Sequence, residues 1–239
     1  MLTNWTGGPL GAGTEFAEPG NWDAGVPNSG LDAAFATNAT VHLDATEFTK
    51  DFFVSLDIVA VHLNAHTLSS ELVTVGSSGN DPTMSLVGGN KNTSTWSTKG
   101  ITVGAASSSP VLNVLSGSNV FTDGGDLIIG TPGLPGPGDE YSGEVKIEHS
   151  KVDLRSGTGD GDLYSNGGKL TIGGGKLFSR DGILGGALVS SANLYSVATK
   201  EVKWDLARDL TIGEEKPSIL SLASAGVVPA SIITQRNVC

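Results

Sequence analysis

Short runs of alternating apolar and polar residues, each closed by glycine or a small polar residue, recur along the whole chain. AVHLNAHTL (residues 60–68) and TMSLVGG (83–89) point one side chain in and the next out, the period of a half-buried strand. One phrase repeats as LVTVG, GITVG, DLIIG, KLTIG and DLTIG, ending at Gly76, Gly104, Gly130, Gly173 and Gly213. Each is a β-branched run stopped by glycine, the signature of a short strand that ends in a turn. Two intervals between those glycines are close to one unit, and two are longer, as if a strand pair or a loop were inserted.

The cleanest unit is AASSSPVLNVLSGSNVFTDGGDLIIG, residues 105–130. It reads as three strands, VLNVL, NVFT and DLIIG, separated by SG and DGG. Short strands with small residues at each corner are what one coil of a parallel β-solenoid needs, because inward apolar side chains stack on the coil above and glycine fits where backbones approach. The next coil is predicted to be GEVKIEHSKVDL (143–154) with KLTIG behind it, and PSILSLASAGVV (217–228) reads as the last rung. VHLDAT at Val41 and VHLNAH at Val61 suggest one small coil in the front half. Residues 44–53 and 195–210 could each hold a turn or two of helix; for the second, a strand around residues 201–204 is preferred. The expectation is an all-β parallel β-helix with an irregular N-terminal cap (1–40), a solenoid body (41–228) and an extended C-terminal arm (229–239).

GTPGLPGPGDEYSG (130–143) interrupts the repeat with Pro132, Pro135 and Pro137 and cannot be a ladder strand. In a solenoid it would project sideways, where its prolines and Tyr141 could touch a neighbour.

Composition supports a folded domain: of 239 residues, 38% are hydrophobic, 34 are glycine and 16% are charged. The net charge is -11, with no run of Lys or Arg, which argues against a nucleic-acid groove and suits a soluble surface or a basic partner. The single cysteine, Cys239, permits neither an internal disulfide nor a cysteine-based metal site. Residues 1–20 lack a basic start and an apolar run of roughly 7–15 residues, and no segment approaches the roughly 20 apolar residues of a membrane span. Synthesis and folding in a cytoplasm, without membrane association, are therefore expected, and sequons at Asn4, Asn38 and Asn92 carry no weight there.

Before the first rung stand Trp5, Asn21, Trp22, Gly25, Val26, Pro27, Asp32, Ala33 and Phe35. This spaced series resembles the start of β-solenoid passengers in bacterial autotransporters and related surface proteins, and the DLxIG phrase is similar to their rungs. The resemblance implies a fold more than an activity. Trp5, Trp22, Pro27, Asp32 and Phe35 would form a cap over an end that otherwise exposes apolar surface and strand edges. A short acidic solenoid without a leader or translocator barrel suits a tailed-phage virion component, released by lysis.

Chemistry is sparse. SGTGDGDLYSNGG (156–168) resembles one copy of a calcium-binding nonapeptide, with Asp160 and Asp162 as oxygen ligands, but that motif needs neighbouring copies. His42, His62, His66 and His149 lack carboxylates or cysteines at ligand spacing; His62 and His66 share a face if the segment is a strand. A hydrolytic solenoid would need clustered acids, for which Asp123, Asp126, Glu144, Glu148 and Asp153 are candidates. Trp96 and Trp204 could stack sugars or pack beneath loops. No G-x-S-x-G, H-E-x-x-H or P-loop occurs.

The favoured expectation is therefore a non-enzymatic virion protein without cofactor or metal. In that reading it is a homotrimeric capsid decoration (cement) protein that bridges major capsid subunits, with contacts from Pro132, Pro135, Pro137, Tyr141 and the C-terminal Ile233. The alternative is a carbohydrate-binding or -degrading β-solenoid, part of a tail spike or a secreted or cell-surface adhesin.

Overall fold

The computed structural model describes the chain except residues 9–12, 78, 90–93, 106–107, 131–142, 158, 186–187, 198–199, 214–216, 225–228 and 235–239. The fold is a parallel β-helix of three walls. Among the described residues, wall I has 8 strands, from Ala39–His42 to Ile219–Ala223; wall II has 8, from Glu47–Phe48 to Ala230–Thr234; wall III has 9, from Leu2–Asn4 to Leu210–Ile212. Each coil visits the walls in that order, as in Val111–Leu115, Asn119–Thr122 and Leu127–Ile129. These are the three strands that the 105–130 repeat predicts.

Register makes the core a set of columns. On wall I, Val41, Val61, Leu86, Val114, Ile147, Ile172 and Leu194 follow one another in adjacent coils and all are buried. Each such side chain removes apolar surface worth roughly 1.5–3 kcal/mol, so a coil is stable mainly through its neighbours. On wall II, Trp96 and Trp204 lie in the inward column with Leu68, Val120, Val152 and Leu177. Their indole N–H groups donate to Ser70 Oγ (2.9 Å) and Ser179 Oγ (3.0 Å) of the preceding coil. They therefore fill the interior; neither lies on an exposed face nor under a loop.

Several sequence expectations change. KLTIG is the wall I strand Lys169–Gly173, whereas the other four phrases fall on wall III. The coil that begins with Glu144–Glu148 and Lys151–Asp153 is closed instead by Leu163–Ser165. An unequal interval was thus two walls read as one. The possible helices are strands: Glu47–Phe48 and Asp51–Val54 in one segment, Val202–Leu206 in the other. The only helical turn among the described residues is the 3-10 turn Pro19–Asn21. At the C-terminus, Ala230–Thr234, assigned from sequence to the arm, pairs in parallel with Val202–Leu206 as a rung of wall II.

Candidate functional site

At the N-terminal end, the described residues 1–8 and 13–35 pack against the first coil. Trp5 and Trp22 meet edge to face at 5.0 Å, both contact Phe35 (5.7 and 5.5 Å), and Phe35 stacks on Phe52 at 5.0 Å. Phe16 joins Trp22 at 5.2 Å, and the Trp22 indole donates to the Phe16 carbonyl at 2.8 Å. Pro27 is also buried. Asp32 sits at the rim with Lys50 and the N-terminal amine, each 3.8 Å away. Asn4 donates twice to Asp23, each at 2.7 Å, and these bonds hold the Asp23 carboxyl below its ordinary pKa.

The candidate acids disperse into the scaffold. Asp126, Asp162, Asp181 and Asp209 stand at the corner before successive wall III strands. The amide of each later residue donates to the earlier carboxylate: Asp162 to Asp126 at 2.8 Å, Asp181 to Asp162 at 3.0 Å, Asp209 to Asp181 at 3.0 Å. Arg180 adds a two-pronged pair to Asp162 (Nε–Oδ1 2.9 Å, with Nη2 on Oδ2), and Arg208 does the same to Asp181 (Nε–Oδ1 3.1 Å, with Nη2 on Oδ2). Burial would raise the Asp181 pKa, but Arg208 and the Asp209 amide outweigh it and hold the carboxyl below its ordinary value. Glu144 is held by Lys169 (2.9 Å) and Lys146 (3.3 Å), and Asp153 by Lys151 (2.8 Å). Tyr195 reaches Glu148 across Gly173, where a side chain would collide with the tyrosine ring; burial, then the Glu148 charge, raises the tyrosine pKa.

The proposed calcium stretch is a tight corner. A Cβ on Gly161 would fall on the Gly125 carbonyl, and one on Gly157 on the Asp123 carboxylate. Asp162 is occupied by Arg180, while Asp160 is exposed. Among the described residues no group of three His, Cys, Asp or Glu is placed to hold a metal. His42 pairs in register with His62, rings 4.6 Å apart and nearly parallel at 12°. Burial, then the neighbouring His42, depresses the His62 pKa. His66 lies past the next corner, away from that stack.

The outer side of wall II is where chemistry-bearing side chains do align. One column runs Asn119, Lys151, Lys176, Lys203; beside it run Phe121, Asp153, Phe178, Asp205 and Ile233. Lys151 Nζ lies 4.9 Å from the Phe121 ring and 5.0 Å from Phe178, and Arg155 and Lys203 approach Phe178 at 5.1 and 5.8 Å. Lys203 pairs with Asp205 at 2.6 Å, as does Arg155 at 3.2 Å. The rings thus position cations and leave no flat open platform for a sugar. Ile233, a predicted contact residue, continues this column and is 44% exposed. Pro132, Pro135, Pro137 and Tyr141 lie outside the described residues.

No family model, curated protein or solved structure matches the chain. What is shown is the parallel β-helix fold itself. No described helix is long and apolar enough to cross a membrane.

The lysine column was missed because no two of its members are adjacent in sequence. A signal was present: KVDLR, KLFSR and KWDLAR, beginning at Lys151, Lys176 and Lys203, repeat a lysine two positions before an acid or phenylalanine and close with arginine.

Proposed function

We propose that the chain is a structural β-helix module that acts by contact and not by catalysis. The observation that carries this reading is the commitment to the stack of the carboxylates at Asp126, Asp162, Asp181, Glu144 and Asp153. Asp126, Asp162 and Asp181 accept amides of successive coils, and Glu144 and Asp153 are paired with lysines. A glycosidase needs two carboxyl groups facing one another across a cleft, one free to hold a proton. Here the acids act as lateral staples that fix one coil on the next.

In its specific form, the module is mounted on a virion as a homotrimeric decoration protein that spans the seams between major capsid subunits. Supporting this are the three-walled body, the closed aromatic end and the net charge of -11, which suits a basic partner. Repetition over a shell would multiply modest contacts into high avidity. Light scattering of the purified protein, alone and with emptied tailed-phage capsids, tests it. A stable trimer that co-sediments with capsids is expected; a monomer that stays in the supernatant overturns the virion form. Hydrolysis of any polysaccharide in a panel would overturn the non-catalytic reading itself.

A further inference from the structure

We infer that the corner between walls I and II is a binding site for an acidic polysaccharide, a chain carrying carboxylate or sulfate groups. This goes beyond the structural role and does not depend on where the module is mounted.

The site begins with three glycines, Gly173–Gly175, at the corner of one coil. The same corner of the coil before carries His149, and that of the coil after carries Lys200. A Cβ on Gly174 would lie 2.9 Å from Lys200 Cβ and 3.2 Å from His149 Cδ2, so those two side chains bracket a position where this coil has none. The result is a surface notch of about 290 Å³, whose rim carries His149, Lys151, Lys176, Lys200 and Glu201. Lys151 and Lys176 are neighbours in register and Lys203 continues their column, so cations repeat along the stack at about 4.8 Å per rung.

Like charges at that spacing repel, and the structure compensates each differently. Lys151 and Lys203 turn toward Asp153 and Asp205 and the phenyl rings of the neighbouring column. Among the described residues Lys176 pairs only with the exposed Glu201, at 3.4 Å, and no acidic side chain forms an ion pair with Lys200. With Lys151 held by Asp153 and Lys176 facing Glu201, it is Lys200 that leaves the rim with a cation in excess, on a protein whose net charge is -11.

The repeat also selects the class of polyanion. Duplex DNA places a charge about every 1.7 Å of axis and would bring phosphates against Asp153, Glu201 and Asp205. An acidic glycan carries its anions on sugars spaced close to the rung repeat, one per sugar in a polyuronate and more in a sulfated chain, so they can meet successive lysines without phosphates crowding the acids between them. Sugar hydroxyls between them would face the Asn119 and Ser150 side of the notch.

The test is binding of the full chain to heparin (sulfated) and polygalacturonate (carboxylated) at low salt. Neutral dextran and single-stranded DNA of similar length are run in parallel. Binding to at least one acidic glycan is expected, and which one binds identifies the anion. The double variant Lys176→Gln/Lys200→Gln should bind about tenfold more weakly with an unchanged melting temperature. Lys99→Gln, which removes an exposed cation paired with Glu71 at 2.8 Å in the acidic half, should bind as the wild type does. No binding to either glycan, equal binding to dextran, or equal loss in Lys99→Gln overturns the inference. So does tighter binding to DNA, which would reassign the corner to nucleic acid. Inorganic phosphate binding as tightly as the polymers would reduce it to a point-anion site and overturn the polysaccharide class.

Discussion

The coils before Gly143 and those after it share one topology but are held together by different means. Of the 14 Lys and Arg, only Lys50, Lys91 and Lys99 precede Gly143, against 14 of the 25 Asp and Glu; the 11 cations that follow balance 11 carboxylates. The whole net charge of -11 therefore belongs to the first part. That part has an aromatic interior, a chain of contacts from Trp5 and Trp22 through Phe35 and Phe52 to Trp96. The second part has one buried aromatic among the described residues, Trp204, and an outer framework of Asp–Arg and Lys–Asp pairs. Large rings fill a cross-section where coils begin irregularly and registry must come from within. Where the coils are regular, small aliphatics suffice inside, and polar ladders on the outside set registry. Only the second arrangement leaves cations at the surface in rows, and that is where a ligand-facing corner arises.

The two regions meet at the corner Gly125–Gly161, so the strongest way to break the comparison is there. In the column that holds Lys99, Arg180 and Arg208, these two coils have glycine, because a Cβ on Gly125 would fall on the Lys99 carbonyl oxygen. Backbone cannot yield as a side-chain tip can. Gly125→Ala should cost about 5 kcal/mol, at the upper end for single substitutions. It should also uncouple the halves, turning one urea transition into two with distinct midpoints, as expected of a quasi-one-dimensional stack. A single transition within about 1 kcal/mol of the wild type would show that the corner accommodates a methyl group and does not set the coupling between the halves.

A matched pair sharpens the contrast. Trp96 and Trp204 occupy one column and make the same bond to a serine of the preceding coil, but Trp96 also meets Phe52 edge to face at 5.0 Å. Each change to alanine should cost about 4 kcal/mol. Native-state hydrogen exchange should separate them. Trp204→Ala should release amides of residues 202–212 and leave the aromatic end protected, while Trp96→Ala should expose coils on both sides of it. Identical exchange maps would mean that the stack unfolds as one unit.

The strand pattern was legible in the sequence because inward and outward residues alternate with a period of two, and among the described residues of the coils no helix interrupts them. Which wall a strand joins was not, because LTIG occurs on walls I and III alike and spacing alone cannot tell a corner from a full coil. The R-D pairs at Arg180–Asp181 and Arg208–Asp209 announce the arginine ladder only once the coil lengths are known. The cationic corner is harder still to read, since Lys151, Lys176 and Lys200 come together through hydrogen-bonding register and not through proximity in the chain. For the acids named as catalytic candidates the reason is complementary: sequence shows a carboxylate but not the amide, lysine or tyrosine that pairs with it, as at Asp126, Glu144 and Glu148.

The smallest expected effect is on pH dependence, where a histidine of the first part and a carboxylate of the second titrate in different ranges. In the first part, burial and the parallel His42 ring depress the His62 pKa. The unfolded chain then takes up its proton more readily than the folded one. This contribution to stability is complete above about pH 6.5, the unfolded value, and is lost as pH falls below it toward the folded value. In the second part, Asp181 is depressed by Arg208 and the Asp209 amide despite burial. Its contribution is complete above about pH 4 and disappears only in stronger acid. Urea midpoints measured at steps from neutral pH downward should therefore fall in two stages. His62→Gln should flatten the first and leave the second, and Arg208→Ala should do the reverse. If both variants flattened the same stage, proton uptake would be shared along the stack, and the two regions would not be electrostatically independent.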